Sequence, residues 1–592
     1  MISRRTLLQL AVVSPFAAAL TREQGLLSGV PSRVVPLIDG TDVSQIKIDR
    51  RRTRIKNHGR DAVKIKEIVL FDLNLSFARG TKLYGEGFQM LSQTGGTLGQ
   101  PVDLGNYTDA KHYKLPAPAN AKALYGMMML SPSARDHHLF AFTSCHRFAG
   151  QFYLNYPSLQ IVLDIEGLEL RPGEEWKLES FTYQSGNDRE QLLDHLATQL
   201  VANHPPQRFP SPPTGWCSWY CFGPRVTAQQ VLDNLDFIAR HTPGLRYVQI
   251  DDGYQPAMGD WLDTGAAFGG NVQGVLKEIR ARGFEPAIWV APFVADEKSN
   301  IFQGRPDWFV KDADGAPLRS DRVTFGGWRR GPWYVLDGTH PEVQQHFEKF
   351  FRTMKREWGC TYFKLDANFW GAIHGGRFHD QRATRIEAYR SGMRAILRGV
   401  ENSFVLGCNH PIWPSLGLIH GSRSSNDIKR TWERIETTAR QNLSRNWQNG
   451  RLWWNDSDAI VLTGDLSDNE FQFHATAIYA SGGMLLSGDD LTKISAEKLA
   501  MLRKLQPPTA VAARFDDDSF RVGRIQLRDR EVVSVLNWAD APQDVSIPLK
   551  RRCRITDFWT EAALGIHSEA FTIKNMPARS GRLLICATDF HG

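Results

Sequence analysis

Between about 214 and 490 the chain alternates short apolar runs with longer amphipathic stretches, and this rhythm limits the fold more than any other feature. The candidate strands are Gly215–Tyr220, Arg246–Asp252, Pro286–Pro292, Tyr362–Asp366, Phe404–Asn409, Ile419–Arg423, Leu452–Asp456 and Gly483–Ser487. Amphipathic helices are expected at Val231–His241, Val272–Arg282 and Pro341–Trp358, the last with proline in its first turn. Eight strand–helix steps fit a (β/α)8 barrel. A doubly wound open sheet is the competing arrangement, but no Gly-rich phosphate loop follows any strand.

The flanks have a different texture. From about 30 to 205, strand-like segments such as Ala62–Val69 and Phe152–Leu170 are punctuated by Gly and Pro, and predict a β-sandwich. Five prolines between His204 and Thr214 mark a boundary before the barrel, taken as 210–500. Strand patterns return at 508–592, where Val532–Trp538 is followed by Val545, Ile547 and Leu549 at alternate positions. This predicts a small C-terminal β-sandwich, so the fold class is α/β, a barrel between two sandwiches.

At the N-terminus, Arg4-Arg5 precede an apolar stretch from Leu7 to Leu20 that ends near Ala17-Ala18-Ala19. Residues 1–22 therefore have the form of a twin-arginine export signal, and the expected location is periplasmic or secreted. An uncleaved short anchor is the other reading of this stretch. No other apolar run approaches the roughly 20 residues of a membrane span. The net charge of +7 over 592 residues, without a long Lys/Arg run, excludes a nucleic-acid-binding character. The seven cysteines contain no Cys-x-x-Cys pair. Cys217 and Cys221 have no second ligand pair, and His374 and His379 have unspecific spacing, so neither a metal nor a cofactor is expected.

In a barrel of this type the reactive groups sit at the C-terminal ends of the strands. Those ends carry Asp251-Asp252, Trp289, Asp366, Cys408-Asn409-His410, Asp427 and Asp456-Ser457-Asp458. Six carboxylates converging on one mouth suit a ligand rich in hydroxyls, which donate to carboxylates. Asp366 is placed to be a nucleophile, with Lys364 on the same face of its strand to favour its charged form. The bland alternative is a buried Lys364–Asp366 ion pair. Asp427 fits a general acid/base, or a helix cap. Arg423 suits substrate or a carboxylate. Trp289 is either a sugar platform or barrel core, and Asp251-Asp252-Gly253 either a strand end or a turn. No Gly-x-Ser-x-Gly elbow is present for a serine hydrolase.

Five stretches in this order and spacing, Tyr247–Gly253, Ala287–Trp289, Tyr362–Asp366, Arg423–Asp427 and Trp454–Asp458, carry a family resemblance. The chain resembles the retaining α-galactosidase clan, glycoside hydrolase families 27 and 36, with family 36 closer in domain plan. Gly215–Trp219 is similar to that family's first strand. The resemblance implies Asp366 as nucleophile and Asp427 as acid/base. It also implies Asp251, Asp252, Trp289, Lys364 and Arg423 as sugar-contacting positions, with Cys408 corresponding in the fifth-strand loop. The rest of that loop, Asn409–Pro414, departs from the family pattern, so the residue accepted at the sugar's 2-position stays open between galactose, N-acetylgalactosamine and a related pentopyranose. The implied substrate is an oligosaccharide or glycoconjugate. A transglycosylase, an α-N-acetylgalactosaminidase and a sugar-binding protein with a retired site are the rivals, and the oligomeric state is left open.

Overall fold

A computed structural model describes residues 26–50, 53–515 and 517–587. The export signal expected at 1–22 lies outside these residues. Among the described residues no helix is long and apolar enough to cross a membrane.

The centre of the molecule is a sheet of eight parallel strands, β1 Thr214–Cys217, β2 Tyr247–Ile250, β3 Glu285–Val290, β4 Tyr362–Leu365, β5 Phe404–Gly407, β6 Gly421–Arg423, β7 Trp454–Asp456 and β8 Leu485–Ser487. Each pairs with its chain neighbour, β8 pairs with β1, and a parallel bridge from Asp456 to Met484 joins the remaining edges into a barrel. Every residue of β4 and β5 is buried, as expected for parallel strands covered on both faces.

The longer helices that follow the barrel strands are α1 Ala228–His241, α2 Val272–Ala281, α3 Pro341–Arg356, α4 Arg385–Val400, α5 Trp432–Ser444, α6 Asp468–Ser481 and α7 Ala496–Lys504. Capping boxes at Thr227 and Thr384 start α1 and α4. Two sequence expectations need correction. The first strand stops at Cys217, because Trp219–Phe222 turns into a short helix. The step from β5 to β6 carries no helix, only the 3-10 turn Trp413–Ser415. Pro411 and Pro414 lack the amide hydrogens a helix needs, and the loop is used instead to dock the N-terminal sandwich. Ile412 N–H donates to Phe88 (2.8 Å), Met90 N–H to His410 (3.0 Å) and the Trp413 indole to Phe142 (2.8 Å).

That N-terminal unit has antiparallel sheets of five and six strands, spanning Arg33–Pro36 to Ser158–Leu170 and Lys82–Glu86 to Phe181–Gly186, plus a three-stranded sheet. After the barrel, a six-stranded antiparallel sheet and the pair Gln543–Pro548 with Ala570–Met576 form a second β unit. Val533, Val535, Val545 and Ile547 close its own small core.

Candidate active site

Side-chain parity explains how the barrel builds its mouth. Alternate residues share a face, so each strand carries one inward column. On β4 the column runs Tyr362, Lys364, Asp366. On the other strands it runs Tyr247, Gln249, Asp251; Ala287, Trp289; Phe404, Leu406, Cys408; Gly421, Arg423; and Trp454, Asp456. The lower members, including Ala287, Tyr362, Phe404 and Leu406, pack as one apolar cluster. The upper members on β2–β5 open into a cavity of about 470 Å³. It is lined by Asp251, Asp252, Trp289, Lys364, Asp366, Cys408 and Asp427, so seven of the eight residues singled out from sequence converge there. Arg423, the eighth, lies behind the wall.

Each Asp366 carboxylate oxygen has one donor. The Trp289 indole N–H reaches Oδ2 at 3.0 Å and the Ala367 N–H reaches Oδ1 at 2.6 Å. Ala367 adopts a left-handed backbone (φ 53°), which costs a non-glycine residue about 1 kcal/mol or more. Burial raises the Asp366 pKa above the ordinary carboxylate value; the Lys364 charge and the two hydrogen bonds oppose it, and Asp427 adds to it. Trp289 therefore contacts the site through its N–H, while Trp261 packs edge-on against its ring (5.7 Å, 73°).

The alternative reading of a Lys364–Asp366 ion pair is not met, while the Lys364 charge does favour ionised Asp366 as expected. The Lys364 ammonium donates to Asp251 Oδ2 at 2.9 Å, with both side chains almost fully buried. Burial is the largest single influence and works against the lysine's charge, but Asp251, with Cys217 and Cys408 adding to it, raises its pKa overall. The Gln249 amide donates to the same Asp251 oxygen at 2.6 Å. Asp252 has turned out of the column. It accepts from Gln255 at 2.6 Å and forms a two-pronged pair with Arg329.

Arg423 is buried and spans three carboxylates: Asp427 at 2.9 Å, Asp458 at 2.8 Å and Asp456 at 3.3 Å. It holds carboxylates rather than facing the cavity. The Tyr220 hydroxyl donates to Asp458 at 2.5 Å and lies 3.4 Å from Asp427, whose own side chain is 59% exposed. Asp427 is not a helix cap, because α5 begins at Trp432 after Thr431. The Cys408 thiol is kept protonated by burial and by the nearby Asp366 charge. His374 donates to the Tyr113 carbonyl at 2.9 Å, and burial holds it neutral, with its pKa lowered to about 4.

Several lining residues were not singled out from sequence. Tyr107, His112 and Tyr113 come from an N-terminal sandwich loop, and Phe325 and Trp328 from the long β3–β4 connection. The Tyr113 hydroxyl donates to Asn409 Oδ1 at 2.7 Å. Only the Gly326-Gly327-Trp328 texture hinted at a lip loop; Tyr113 had no local signal.

The loop bearing Asp427 is also held from the N-terminal side. Asn426 donates to Leu91 at 3.0 Å and accepts from the Asn106 amide at 3.1 Å. Fully buried Arg445 pairs with Glu86 at 2.6 Å and donates to Ser424 at 2.9 Å and Met90 at 2.6 Å.

Residues 241–404 match the melibiase family, so the barrel carries a melibiase domain. A mouse myogenesis-regulating glycosidase is 31% identical over 153 residues, which are 26% of this chain and 20% of the relative. A Flavonifractor plautii A type blood α-D-galactosamine galactosaminidase is 25% identical over 228 residues, 37% of this chain and 20% of the relative. The chain thus spans about a fifth of the length of these curated relatives. The fold is shared with an α-galactosidase from Thermus thermophilus solved with p-nitrophenyl α-D-galactopyranoside, at a TM-score of 0.61 and 22% identity, covering 84% of this chain and 98% of that one.

Proposed function

We propose that the melibiase domain makes this chain a retaining α-glycosidase that removes terminal α-galactosyl or closely related residues. The observation that carries the reading is the differing environment of two carboxylates on one cavity. Asp366 is held by the Trp289 and Ala367 donors in a buried position, whereas the Asp427 side chain is exposed between buried neighbours on its loop. A fixed carboxylate suits attack on an anomeric carbon, and an accessible one suits proton exchange with a leaving oxygen and then with water. Asp366 attacks the anomeric carbon as the glycosidic bond breaks, while the Asp427 proton passes to the departing oxygen. Water, deprotonated by Asp427, then displaces Asp366 and restores the original anomer. The buried Lys364–Asp251 and Arg329–Asp252 pairs present acceptors to sugar hydroxyls at the closed end. The solved neighbour's α-galactoside complex and the galactosaminidase relative support this substrate class.

The test is an aryl α-galactoside assay of the wild type and Asp366→Asn, with NMR of the sugar first released. The variant is expected to lose turnover, and the wild type to release the α-anomer. Near-normal turnover by the variant, or a β-anomer as first product, rules the mechanism out. On the Arg4-Arg5 segment we also place the site of action outside the cytoplasm. Loss of export of a folded reporter fused to residues 1–30 when both arginines become lysine is the corresponding check.

A further inference from the structure

The charges around the cavity are not evenly matched. Toward the closed end, Asp251 is paired with Lys364 and Asp252 with Arg329. At the mouth, Asp427 is paired with Arg423. Two cations that line the cavity lie just beyond Asp427 in sequence and have no carboxylate among the described residues. Lys429 is exposed and has no hydrogen-bond or ion-pair partner there. The Arg434 guanidinium meets only a neutral amide, Asn106, at 2.5 and 3.3 Å with the amide oxygen turned toward it. Arg434 also sits in the first turn of α5, where the helix dipole disfavours a positive charge. It is therefore not explained as a helix-stabilising residue. Tyr107 lines the same cavity and follows Asn106, the partner of Arg434; it is 37% exposed and packs on His112 at 4.7 Å, which adds an aromatic surface to this part of the lining.

Their position gives these groups a function. In the proposed reaction Asp427 protonates the glycosidic oxygen, so the leaving group must lie on the Asp427 side of the cavity, where Lys429, Arg434 and Tyr107 stand. We infer that this outer part is a subsite for an acidic aglycone, a sugar that carries a carboxylate or sulfate next to the cleaved α-galactosyl residue. The planar Arg434 fork matches a carboxylate in two-pronged fashion, Lys429 supplies a second positive charge, and Tyr107 offers a stacking face. The inference rests on the glycosidase reading for its orientation, but its prediction is a binding preference that needs no turnover.

The experiment compares α-galactosyl-glucose with α-galactosyl-glucuronate and with the same disaccharide sulfated on its glucose. Calorimetry with Asp366→Asn at low ionic strength is expected to show the acidic forms bound about tenfold more tightly, the effect of two partly exposed ion pairs. The preference should shrink as salt is added and fall to about one in Asp366→Asn carrying Lys429→Met and Arg434→Met. The larger of the two acidic effects identifies the carboxylate or the sulfate as the natural group. Equal affinity for neutral and acidic forms overturns the inference, as does a preference that survives the double substitution. Turnover of the neutral disaccharide by the wild type reports separately: its absence would sink the glycosidase reading while the binding preference is still measured.

Discussion

Trp289→Phe isolates the hydrogen bond that holds the proposed nucleophile. It keeps most of the ring packed against Trp261 but removes the only side-chain donor to Asp366 among the described residues, the indole N–H at 3.0 Å from Oδ2. A hydrogen bond to a charged group contributes about 1.5–3 kcal/mol. One pH unit corresponds to about 1.36 kcal/mol, so losing a donor that favours the carboxylate raises its pKa by about 1–2 units. The sign follows from the mechanism. Asp366 must be ionised to attack, so its protonation sets the acidic limb of kcat/KM, which reports the free enzyme. Burial already pushes this group above the usual carboxylate value. The limb should therefore move further up in pH by about 1–2 units in the variant, with a smaller change on the plateau. The assay is initial-rate hydrolysis of an aryl α-galactoside across pH, with circular dichroism confirming a folded protein at each point. Trp261→Phe, which touches no carboxylate, is the control. An unmoved acidic limb in Trp289→Phe, or an equal shift in the control, would refute the assignment of that limb to Asp366.

Arg445→Met should destabilise the chain by about 3–5 kcal/mol in urea denaturation, because Glu86 is left as an unpaired buried charge. Adding Glu86→Met should recover much of the loss, and failure to do so would show that the pair is not the source. Lys364→Met should cost a similar about 3–5 kcal/mol by stranding Asp251, read by the same denaturation. Tyr113→Phe leaves Asn409 Oδ1 without its donor and should cost about 1–3 kcal/mol by urea denaturation, with a changed KM. Stability should also fall on acidification below about pH 6.5. Burial lowers His204 and His410 to about 3 and His346, His374, His420 and His474 to about 4. The unfolded chain therefore takes up protons that the folded chain refuses. Asp109 and Asp458, raised to about 6, and Glu166, raised to about 8, hold protons in the folded state and oppose this. The balance is at most about 4 kcal/mol per pH unit near pH 5, and flat urea midpoints between about pH 7 and 5 would contradict it.

What could be read from the sequence was what depends on period and position along one strand. Tyr362, Lys364 and Asp366 alternate onto one face, and the same arithmetic placed Asp251, Trp289 and Cys408 at the mouth. Partnerships between columns could not be read this way. The Lys364 charge favours ionised Asp366, two residues away, as parity suggested, but its ammonium hydrogen-bonds to Asp251, 113 residues away in the chain and on another strand. Arg329 lies in a connection of more than 70 residues between β3 and β4 without periodicity, so nothing local pointed it at Asp252. The missing β5–β6 helix was signalled by Pro411 and Pro414, but the expectation of a regular repeat overrode that signal.

The two carboxylates also differ in what supports them, and this explains why one was easier to place. Asp366 is fixed by its own barrel: by the strand that carries it, by Trp289 of the neighbouring strand and by the backbone turn at Ala367. Every one of these lies in a segment whose motif is local. Asp427 follows a three-residue strand, and its loop is positioned by Arg423 from within the barrel and by Leu91, Asn106 and Glu86, through Asn426 and Arg445, from the N-terminal sandwich. Its geometry is a property of the contact between the two units. The same contact brings Tyr107 and Tyr113 to the cavity and places Asn106 against Arg434. The inner half of the site thus follows from barrel periodicity, whereas the outer half depends on how the sandwich docks. Variation in that docking surface would change the leaving group accepted without altering Asp366 or the residues that hold it.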